Sequence, residues 1–373
     1  MKIAFVLDDS LDPPDGVQQY VLALGRELAR RGHEVHYLVG QTDRRDIANV
    51  HSLARNVRVR FNHNRVGMPL PVSRRQIREL LTKEKFDVLH IQAPFSPLFA
   101  ARVIKAASRS TRVIGTFHIA PHSKLVSLGT AMLGRVTRGA LKRFDAMVAV
   151  SPVAADFAQR SFGLDSVVIP NPVKIDKFSV SRSSEKLATA SHSKTKNVVF
   201  LGRLVERKGA GRLLDAVRLA EKKPGWPKNV KVTIAGDGPL RQRLEQAAAR
   251  LQTHVEFLGF INETDKPSLL SNADVVVYPA TGGESFGIVL IEAMAAGAKV
   301  VLAGDNPGYR STMADNNDLL FDPHNSDELA DRLLCALTDK KFATSAHAWQ
   351  TKHVKQFDIS NVADKILKAY GTM

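Results

Sequence analysis

The sequence predicts an α/β protein with two domains, each a doubly wound parallel sheet, joined by a hinge. Three observations predict this fold class. The 373 residues suffice for two domains of ordinary size. Short apolar runs alternate with helical patterns, which is typical of βαβ units. A Ser- and Lys-rich stretch at 179–196 has no hydrophobic period and separates two such series, as a surface linker would.

The first series of elements occupies residues 1–174. Its clearest helix is Gln18–Arg31, which places Tyr20, Leu24 and Leu28 on one face. The other helical patterns lie between predicted strands, whose carboxyl ends are the expected ligand-binding edge of the sheet. The predicted strands are Ile3–Leu7, Glu34–Leu38, Val57–Phe61, Val88–Ile91, Val113–Phe117, Ala146–Val150 and Ser166–Ile169.

The second series occupies residues 197–352 and follows a linker at 175–196. A final amphipathic helix is predicted at Asp358–Tyr370, and we expect the terminal segment 353–373 to return to the first domain. The predicted strands of this series are Val198–Leu201, Lys231–Ala235, Val255–Leu258, Val275–Tyr278 and Lys299–Leu302.

The composition is that of an ordinary soluble globular protein. Hydrophobic residues make up 44% of the chain and charged residues 24%. No segment reaches the roughly 18 consecutive apolar residues that a membrane span needs. The chain begins with a strand pattern that ends in acids, which does not resemble a signal peptide. One cysteine, Cys335, cannot form an intramolecular disulfide, and this favours a reducing, cytoplasmic location.

The net charge of +16 is concentrated in the first half of the chain. Residues 1–174 contain 26 Lys and Arg against 14 Asp and Glu, whereas the remaining 199 residues contain 27 against 23. This pattern fits either a solvated basic surface or attraction to an anionic partner, of which a phospholipid surface is favoured. Aromatic residues make up only 6% of the chain, and no nucleic-acid-binding motif is present, so no nucleic acid partner is expected.

The segment from Gly282 to Gly297 is the most specific motif in the sequence. Its glycine pair allows a ligand to approach the backbone closely, and the apolar run after Gly287 predicts a helix whose N-terminus could bind a diphosphate. Glu284 lies in the loop and Glu292 about two helical turns further on, so they are not expected to form a close carboxylate pair. The alternative is a purely structural strand–loop–helix unit in which an acid caps the helix.

This segment resembles the Glu-x7-Glu signature of the retaining GT-B glycosyltransferases, specifically glycosyltransferase family 4. The resemblance implies two Rossmann-like domains that face each other across a cleft, the first on the acceptor side and the second binding a nucleotide sugar. It implies that Glu284 contacts sugar hydroxyls of the donor and that Glu292 contacts the nucleotide ribose. Backbone groups of four residues would hold the sugar and phosphates. These residues are Ser285, Phe286, Gly287 and Ile288.

Two further loops of the second domain agree with this resemblance. The family pattern gives Arg203 and Lys208 the role of clamping the diphosphate and neutralising charge on the departing nucleotide. The turn Gly236-Asp237-Gly238 is similar to a family turn near the nucleobase, although turn geometry alone could explain its glycines.

The first domain contributes fewer candidate residues. The resemblance places Gly16 against the donor phosphates, although Asp15 stands where family members usually have another glycine. His118 follows a predicted strand in a Thr-Phe-His sequence, which implies a hydrogen bond to the transferring sugar, so its mutation should cripple turnover. The stretch from His90 to Pro97 resembles a His-x-His-Glu-Pro motif, from which Gln92 and Ala93 depart, and any acceptor contact from this stretch stays open.

The implied reaction is retaining transfer of a mannose- or glucose-type hexose from a GDP- or UDP-sugar. The sequence offers no convincing carboxylate nucleophile of the kind that retaining glycosidases use, and the resemblance implies front-face substitution. No Asp-x-Asp pair ends a strand, so neither a metal nor another cofactor is expected. Arg203, Lys208 and the helix start at Ile288 would stabilise the leaving diphosphate instead.

Among family members the sequence looks closest to phosphatidylinositol mannosyltransferases and related lipid-directed enzymes. This implies a lipid or glycan acceptor, such as a membrane phosphatidylinositol mannoside, and peripheral attachment to the inner face of the plasma membrane. The basic pattern at Val72–Lys85 suits a helix that lies on anionic lipid, but an ordinary surface helix has the same pattern.

Other function classes compete with glycosyl transfer. A nucleotide-sugar 2-epimerase has the same fold but matches less well around His118 and Arg203. A non-catalytic protein that binds anionic surfaces is compatible with the charge. A dinucleotide-dependent oxidoreductase would need a Gly-x-Gly-x-x-Gly turn, which residues 15–20 lack.

Overall fold

A computed structural model describes residues 1–12, 15–61, 64–70, 72–92, 94, 96, 99–119, 139–179 and 195–371, with the side chains of 57–69 left out. Pro14, Ala93 and most of the predicted linker lie outside these residues. The chain forms two compact units, one of Met1–Pro172 with Ile359–Met373 and the other of Val173–Asp358. Both contain a parallel sheet, as the α/β prediction required. Every helix in the described residues falls short of the length and apolar character needed to cross a lipid bilayer.

The first unit is built on a seven-stranded sheet in the order β3-β2-β1-β6-β7-β8-β9. All of its paired strands are parallel. Its strands are β1 (Lys2–Leu7), β2 (Glu34–Val39), β3 (Val50–Ser52), β6 (Val88–Gln92), β7 (Arg112–Phe117), β8 (Ala146–Ala149) and β9 (Val167–Val168). Its helices are α1 (Gly16–Arg30), α2 (Arg74–Glu84), α3 (Phe99–Ala106), α4 (Pro152–Phe162) and the C-terminal α13 (Ile359–Ala369).

Side chains of β1 alternate between two cores on opposite faces of this sheet. Ile3 and Phe5 pack in one hydrophobic cluster, and Ala4 and Val6 pack in the other. Because neighbouring residues of a strand point to opposite faces, a near-continuous apolar strand requires cover on both sides. This explains why strands of this unit read as unbroken apolar runs.

The strand predicted at Val57–Phe61 does not join the parallel sheet. It forms β4 (Asn56–Phe61), which pairs antiparallel with β5 (Asn64–Pro69) in a separate hairpin. Two residues connect these strands, and such a short connection permits only an antiparallel pair. The strand itself was correctly predicted, but its partner was not.

The C-terminal helix α13 packs on α1 in the first unit. Val362 and Ile366 are fully buried in the same cluster as Leu24 and Leu28 of α1. The guanidinium of Arg31, just beyond α1, donates to the carbonyl oxygen of Ser360 at 2.9 Å. The final elements of the chain therefore complete a core that the first elements began.

The second unit has a six-stranded parallel sheet in the order β12-β11-β10-β13-β14-β15. Its strands are β10 (Lys196–Leu201), β11 (Val230–Ala235), β12 (His254–Gly259), β13 (Val275–Tyr278), β14 (Val300–Gly304) and β15 (Leu320–Phe321). Its helices are α5 (Ile175–Ser179), α6 (Ala210–Ala220), α7 (Arg241–Ala248), α8 (Lys266–Ser271), α9 (Ile288–Ala296), α10 (Pro307–Thr312), α11 (Ser326–Thr338) and α12 (Lys340–His353).

Candidate active site

The residues predicted to bind a donor in the second unit gather at the carboxyl edge of its sheet. The loops after β10, β11 and β13 leave the sheet at this edge because the strands are parallel. Lys208 lies in a 3₁₀ turn after β10, and Glu284 lies in the loop between β13 and α9. Arg203 is exposed on the first of these loops.

Glu284 is the point at which two of these loops meet. Its Oε1 atom is 2.8 Å from Lys208 Nζ and accepts a hydrogen bond from Arg207 Nη1. Burial by itself would raise the pKa of the Glu284 carboxyl, but the charges of Lys208 and Arg207 outweigh it and hold this pKa below its ordinary value. Glu284 is therefore ionised at neutral pH and binds two cations.

Backbone packing holds the same two loops together. Gly209 has a φ of +78°, and a Cβ at this position would collide with the carbonyl oxygen of Pro279. Only glycine allows this approach. The Thr281 N–H donates to the carbonyl oxygen of Arg207 at 3.0 Å. The cations and Glu284 are thus positioned by the main chain on either side of them.

The start of α9 presents backbone N–H groups next to Glu284 in the sequence. Gly287 is the N-cap and Ile288 the first helical residue. The helix dipole places partial positive charge at this end, which suits an anionic ligand. Ser285 is partly exposed, whereas the Phe286 ring is buried and packs edge-to-face on Phe357 at 5.6 Å. The Phe286 side chain therefore serves the core, and its backbone is what a ligand could reach.

Glu292 has partners different from those of Glu284. Lys266 Nζ is 3.0 and 3.2 Å from the two carboxylate oxygens of Glu292 and 2.7 Å from Glu263 Oε1. Burial raises the pKa of the Glu292 carboxyl, although the Lys266 charge opposes the shift. The two glutamates of the motif thus lie in two separate charge clusters.

The turn Gly236-Asp237-Gly238 supports the loop that carries Arg203. Gly236 has a φ of +133°, and a Cβ on it would collide with the carbonyl oxygen of Gly202. The Leu204 N–H donates to the carbonyl oxygen of Asp237 at 2.9 Å. The glycines are therefore needed for the fold of these loops, and a contact between this turn and a donor stays a prediction.

In the first unit, Gly16 and His118 lie at the carboxyl edge of the sheet. Gly16 is exposed and is the first residue of α1, a helix of 15 residues whose N-terminus follows β1. His118 directly follows β7, and its ring packs edge-to-face on Tyr20 of α1 with 4.9 Å between the ring centres. Both predicted residues are therefore where ligands bind in such sheets.

Several polar residues at these edges were missed by sequence reasoning. Arg207 lies between predicted residues, but nothing local marks it as the cation that reaches Glu284. Lys266 looks like any surface lysine, yet its ammonium is buried against Glu292. Asp8 accepts hydrogen bonds from Ser96 Oγ and, at 3.0 Å, from the Ala100 N–H, and burial raises the pKa of its carboxyl to about 6. The acids that end the first strand were the only available signal for Asp8.

One group of side chains in the described residues has the composition of a metal site, although no metal was expected. Glu34, His36 and Glu84 bring ligand atoms within 4.8 Å of one another. Lys2 Nζ already binds both carboxylates, at 3.1 Å from Glu34 and 2.7 Å from Glu84. Glu34 is the first residue of β2, so this cluster lies at the opposite edge of the sheet from Gly16 and His118.

A basic groove of about 450 Å³ lies between α2 and α3 of the first unit. Arg74, Arg78, Arg102 and Lys105 line it. Of these, Arg102 donates to the carbonyl oxygen of Val72, and no carboxylate of the described residues forms an ion pair with any of the four. The basic pattern seen in the sequence is thus continued by a second helix.

Family models match both halves of the chain. A model described as "Glycosyltransferase Family 4" matches residues 14–177, and one described as "Glycosyl transferases group 1" matches residues 181–353. The chain is 33% identical to a phosphatidyl-myo-inositol mannosyltransferase of Mycobacterium tuberculosis, over 100% of this chain and 97% of the relative. It is 32% identical to the protein of that name from Mycolicibacterium smegmatis, over 100% and 94%.

Solved structures with a similar fold include HepE from Anabaena in complex with UDP, with a TM-score of 0.76, 21% identity and full coverage of both chains. WaaG, described as a glycosyltransferase involved in lipopolysaccharide biosynthesis, has a TM-score of 0.68 and 19% identity over 98% of each chain. At these identities the likeness concerns the fold.

Proposed function

This chain belongs to the family 4 glycosyltransferases with the GT-B fold, and from that premise we propose that it transfers mannose from a nucleotide sugar to a phosphatidylinositol-type lipid. That it is a glycosyltransferase follows from its full-length relatives. The names of those relatives specify a mannosyltransferase and a phosphatidyl-myo-inositol substrate, and they support the narrower proposal. The bond made would join the transferred sugar to a hydroxyl of the lipid headgroup.

The observation that carries the donor site is the ion cluster of Glu284 with Lys208 and Arg207. A nucleoside diphosphate develops negative charge as it leaves the sugar, and preorganised cations and helix N–H groups stabilise that charge. We propose that Lys208, Arg203 and the start of α9 bind the diphosphate, with Arg207 as an additional cation. Glu284, held ionised by its partners, would accept hydrogen bonds from sugar hydroxyls. Glu292 is proposed to contact the ribose.

We propose that transfer retains the anomeric configuration and needs no metal. Front-face substitution requires no protein nucleophile, because the acceptor hydroxyl attacks while the leaving phosphate takes its proton. The protein then contributes charge stabilisation and orientation. The cations of the Glu206–Lys208 turn and the α9 N-terminus would supply the positive charge that a divalent ion supplies elsewhere.

The proposed donor is a GDP- or a UDP-sugar. The HepE structures contain UDP and UDP-glucose, whereas the relatives are named for mannose transfer. Both bases carry the same diphosphate, so the cation cluster does not choose between them.

A panel of GDP- and UDP-sugars, assayed with phosphatidylinositol in mixed micelles and with EDTA present, tests the proposal. We expect a mannosylated lipid, identified by mass, whose linkage has the donor's α configuration by NMR. Transfer of a different sugar would overturn the donor assignment, and a requirement for Mg²⁺ or Mn²⁺ would overturn the metal-free mechanism. Conversion of the nucleotide sugar to its 2-epimer without transfer would favour the epimerase alternative.

A further inference from the structure

Two sets of buried hydrogen bonds in the first unit meet at His90, one from its ring and one from its main chain toward His118. The Tyr370 hydroxyl is 2.7 Å from His90 Nδ1, and His90 Nε2 is 2.6 Å from Thr116 Oγ1. Gln92 Nε2 donates to the carbonyl oxygen of His90 at 3.4 Å, and Gln92 Oε1 is 2.6 Å from His118 Nε2. His90, Gln92 and Thr116 are all fully buried. These hydrogen bonds therefore reach His118, a predicted site residue, through residues that have no contact with solvent.

The sheet fixes the position of Gln92 relative to His118. Gln92 is the last residue of β6, and its partner on the neighbouring strand β7 is Thr116. His118 follows Thr116 by two residues, just beyond the end of β7. The Tyr20 ring lies at 74° to the imidazole with 4.9 Å between the ring centres, and this contact restrains the imidazole plane. Gln92 is thus held by the strand ladder at the side of the His118 ring.

The direction of these hydrogen bonds determines the tautomer of His118. A carbonyl oxygen can only accept, so the Gln92 amide nitrogen faces His90 and its oxygen faces His118. The amide oxygen also only accepts, so His118 Nε2 must carry a proton. Burial lowers the pKa of the His118 imidazole, which keeps the ring neutral at pH 7. In a neutral imidazole with a protonated Nε2, the acceptor nitrogen is Nδ1.

We propose that Gln92 is a positioning residue that fixes the ring orientation and the Nε2–H tautomer of His118. The orientation and proton arrangement of the His118 ring are then fixed before a sugar approaches it. This inference rests on the proposed role of His118 in glycosyl transfer. A glutamine suits the task because it accepts a hydrogen bond without bringing a charge into a buried site, whereas a carboxylate would stabilise the imidazolium.

Four variants of the full chain test this role. Gln92→Met keeps the side-chain length and removes the hydrogen-bond acceptor, whereas Gln92→Glu keeps an acceptor and adds a charge. Gln92→His provides a different neutral acceptor, and histidine is the residue that the family pattern has at this position. His118→Ala identifies the NMR signals of His118 and shows how much of the activity depends on this side chain. Gln350→Met, which removes another buried glutamine side chain in the second unit, is the matched control for loss of stability.

Protein labelled with ¹⁵N-histidine provides a readout that does not depend on turnover. We expect the wild-type His118 signals to show one tautomer with the proton on Nε2, and Gln92→Met to show a mixture. In transfer assays Gln92→Met should lower kcat by about 10- to 100-fold, the range that misplacement of a reacting group costs, with the KM for the donor little changed. Gln92→His should recover most of kcat, and Gln350→Met should leave both readouts unchanged.

The pH profile separates positioning from a merely structural role. Gln92→Glu should raise the pKa of His118, so that the ring becomes protonated and loses its acceptor at higher pH than in the wild type. The acidic limb of its kcat profile should therefore move to higher pH. A wild-type tautomer signal together with wild-type kcat in Gln92→Met, while His118→Ala is inactive, would overturn this inference and leave the proposed function standing. Full activity of His118→Ala would overturn both.

Discussion

At the scale of single residues, the charge state of Glu284 is set by neighbours that lie far from it in sequence. Its carboxylate is partly buried, which would favour protonation, but Lys208 and Arg207 keep it ionised. The sequence assigned Glu284 and Lys208 to one donor site, and the structure places both in loops at the carboxyl edge of the sheet. The sequence did not predict their direct contact, because a side-chain ion pair depends on how two loops pack.

We expect Lys208→Met to lower kcat/KM for transfer by about 100- to 1,000-fold, the loss typical of removing one preorganised group that stabilises developing negative charge. The ammonium at 2.8 Å from Glu284 is the cation that this variant removes. Steady-state kinetics at several donor concentrations would measure the effect. Lys222→Met, at an exposed lysine of the same unit, is the matched control. Equal kcat/KM in both variants would contradict a role for Lys208.

The raised pKa of Asp8 predicts that the stability of the first unit depends on pH. Its pKa is raised by burial from 3.8 to about 6, so between these values the folded chain holds a proton that the unfolded chain releases. The free energy of unfolding attributable to Asp8 is therefore fully present below pH 4 and falls as pH rises to 6, by roughly 3 kcal/mol. Asp8→Asn removes this loss.

The stability advantage of Asp8→Asn over the wild type should thus grow between pH 4 and pH 7. Urea unfolding, monitored through hydrogen exchange of the β1 amides, would measure this stability advantage. Asp156→Asn, which alters an exposed carboxylate of α4, is the comparison variant. A stability advantage that is the same at pH 4 and pH 7 would show that the pKa of the Asp8 carboxyl is not shifted.

At the scale of elements, hydrophobic periodicity predicted the first and last helices and most of the buried strands. Gln18–Arg31 corresponds to α1 (Gly16–Arg30), and Asp358–Tyr370 corresponds to α13. The strands that were missed are short or lie in the hairpin: β3 has three residues and β15 has two. Pairing with a long neighbour stabilises such strands, and that neighbour cannot be inferred from so short a run. The Gln92–His118 contact was hidden for a similar reason, since it depends on β6 and β7 being adjacent.

We expect Ile366→Ala in α13 to destabilise the first unit by about 2–5 kcal/mol, because it opens a cavity in a fully buried contact with α1. Hydrogen exchange should show faster exchange of β1 amides, with β10 amides of the second unit unchanged. Lys365→Ala, at the neighbouring exposed position, should leave the amides of both β1 and β10 protected from exchange. Faster exchange in β10 alone would contradict the assignment of α13 to the first unit.

At the scale of the whole molecule, charge distribution is the property that the sequence showed directly. Four of the cations that make residues 1–174 basic line the groove between α2 and α3. We propose that this groove docks on an anionic lipid surface, where a cation near the headgroups contributes about 1 kcal/mol. The composition could not show that α3 adds Arg102 and Lys105 to the cations of α2.

The double variant Arg74→Gln/Arg78→Gln should weaken binding to phosphatidylinositol-containing vesicles by about 30-fold, the equivalent of two such cations. Co-sedimentation at low ionic strength would measure it, and wild-type binding should fall as salt is added. Arg243→Gln/Arg250→Gln makes the same change of net charge at exposed sites of the second unit. Equal losses in the two double variants would show that net charge, and not the groove, attracts the lipid.

The return of α13 to the first unit has a consequence for synthesis on the ribosome. Residues 173–358 form the second unit without interruption, whereas the first unit needs segments from both sides of it. The core of the first unit therefore stays incomplete, with an exposed apolar surface on α1, until α13 with Ile366 has left the ribosome. A released chain truncated after Asp358 should therefore be cleaved by protease mainly in the first unit, whereas the second unit, whose segment is complete, should stay protected.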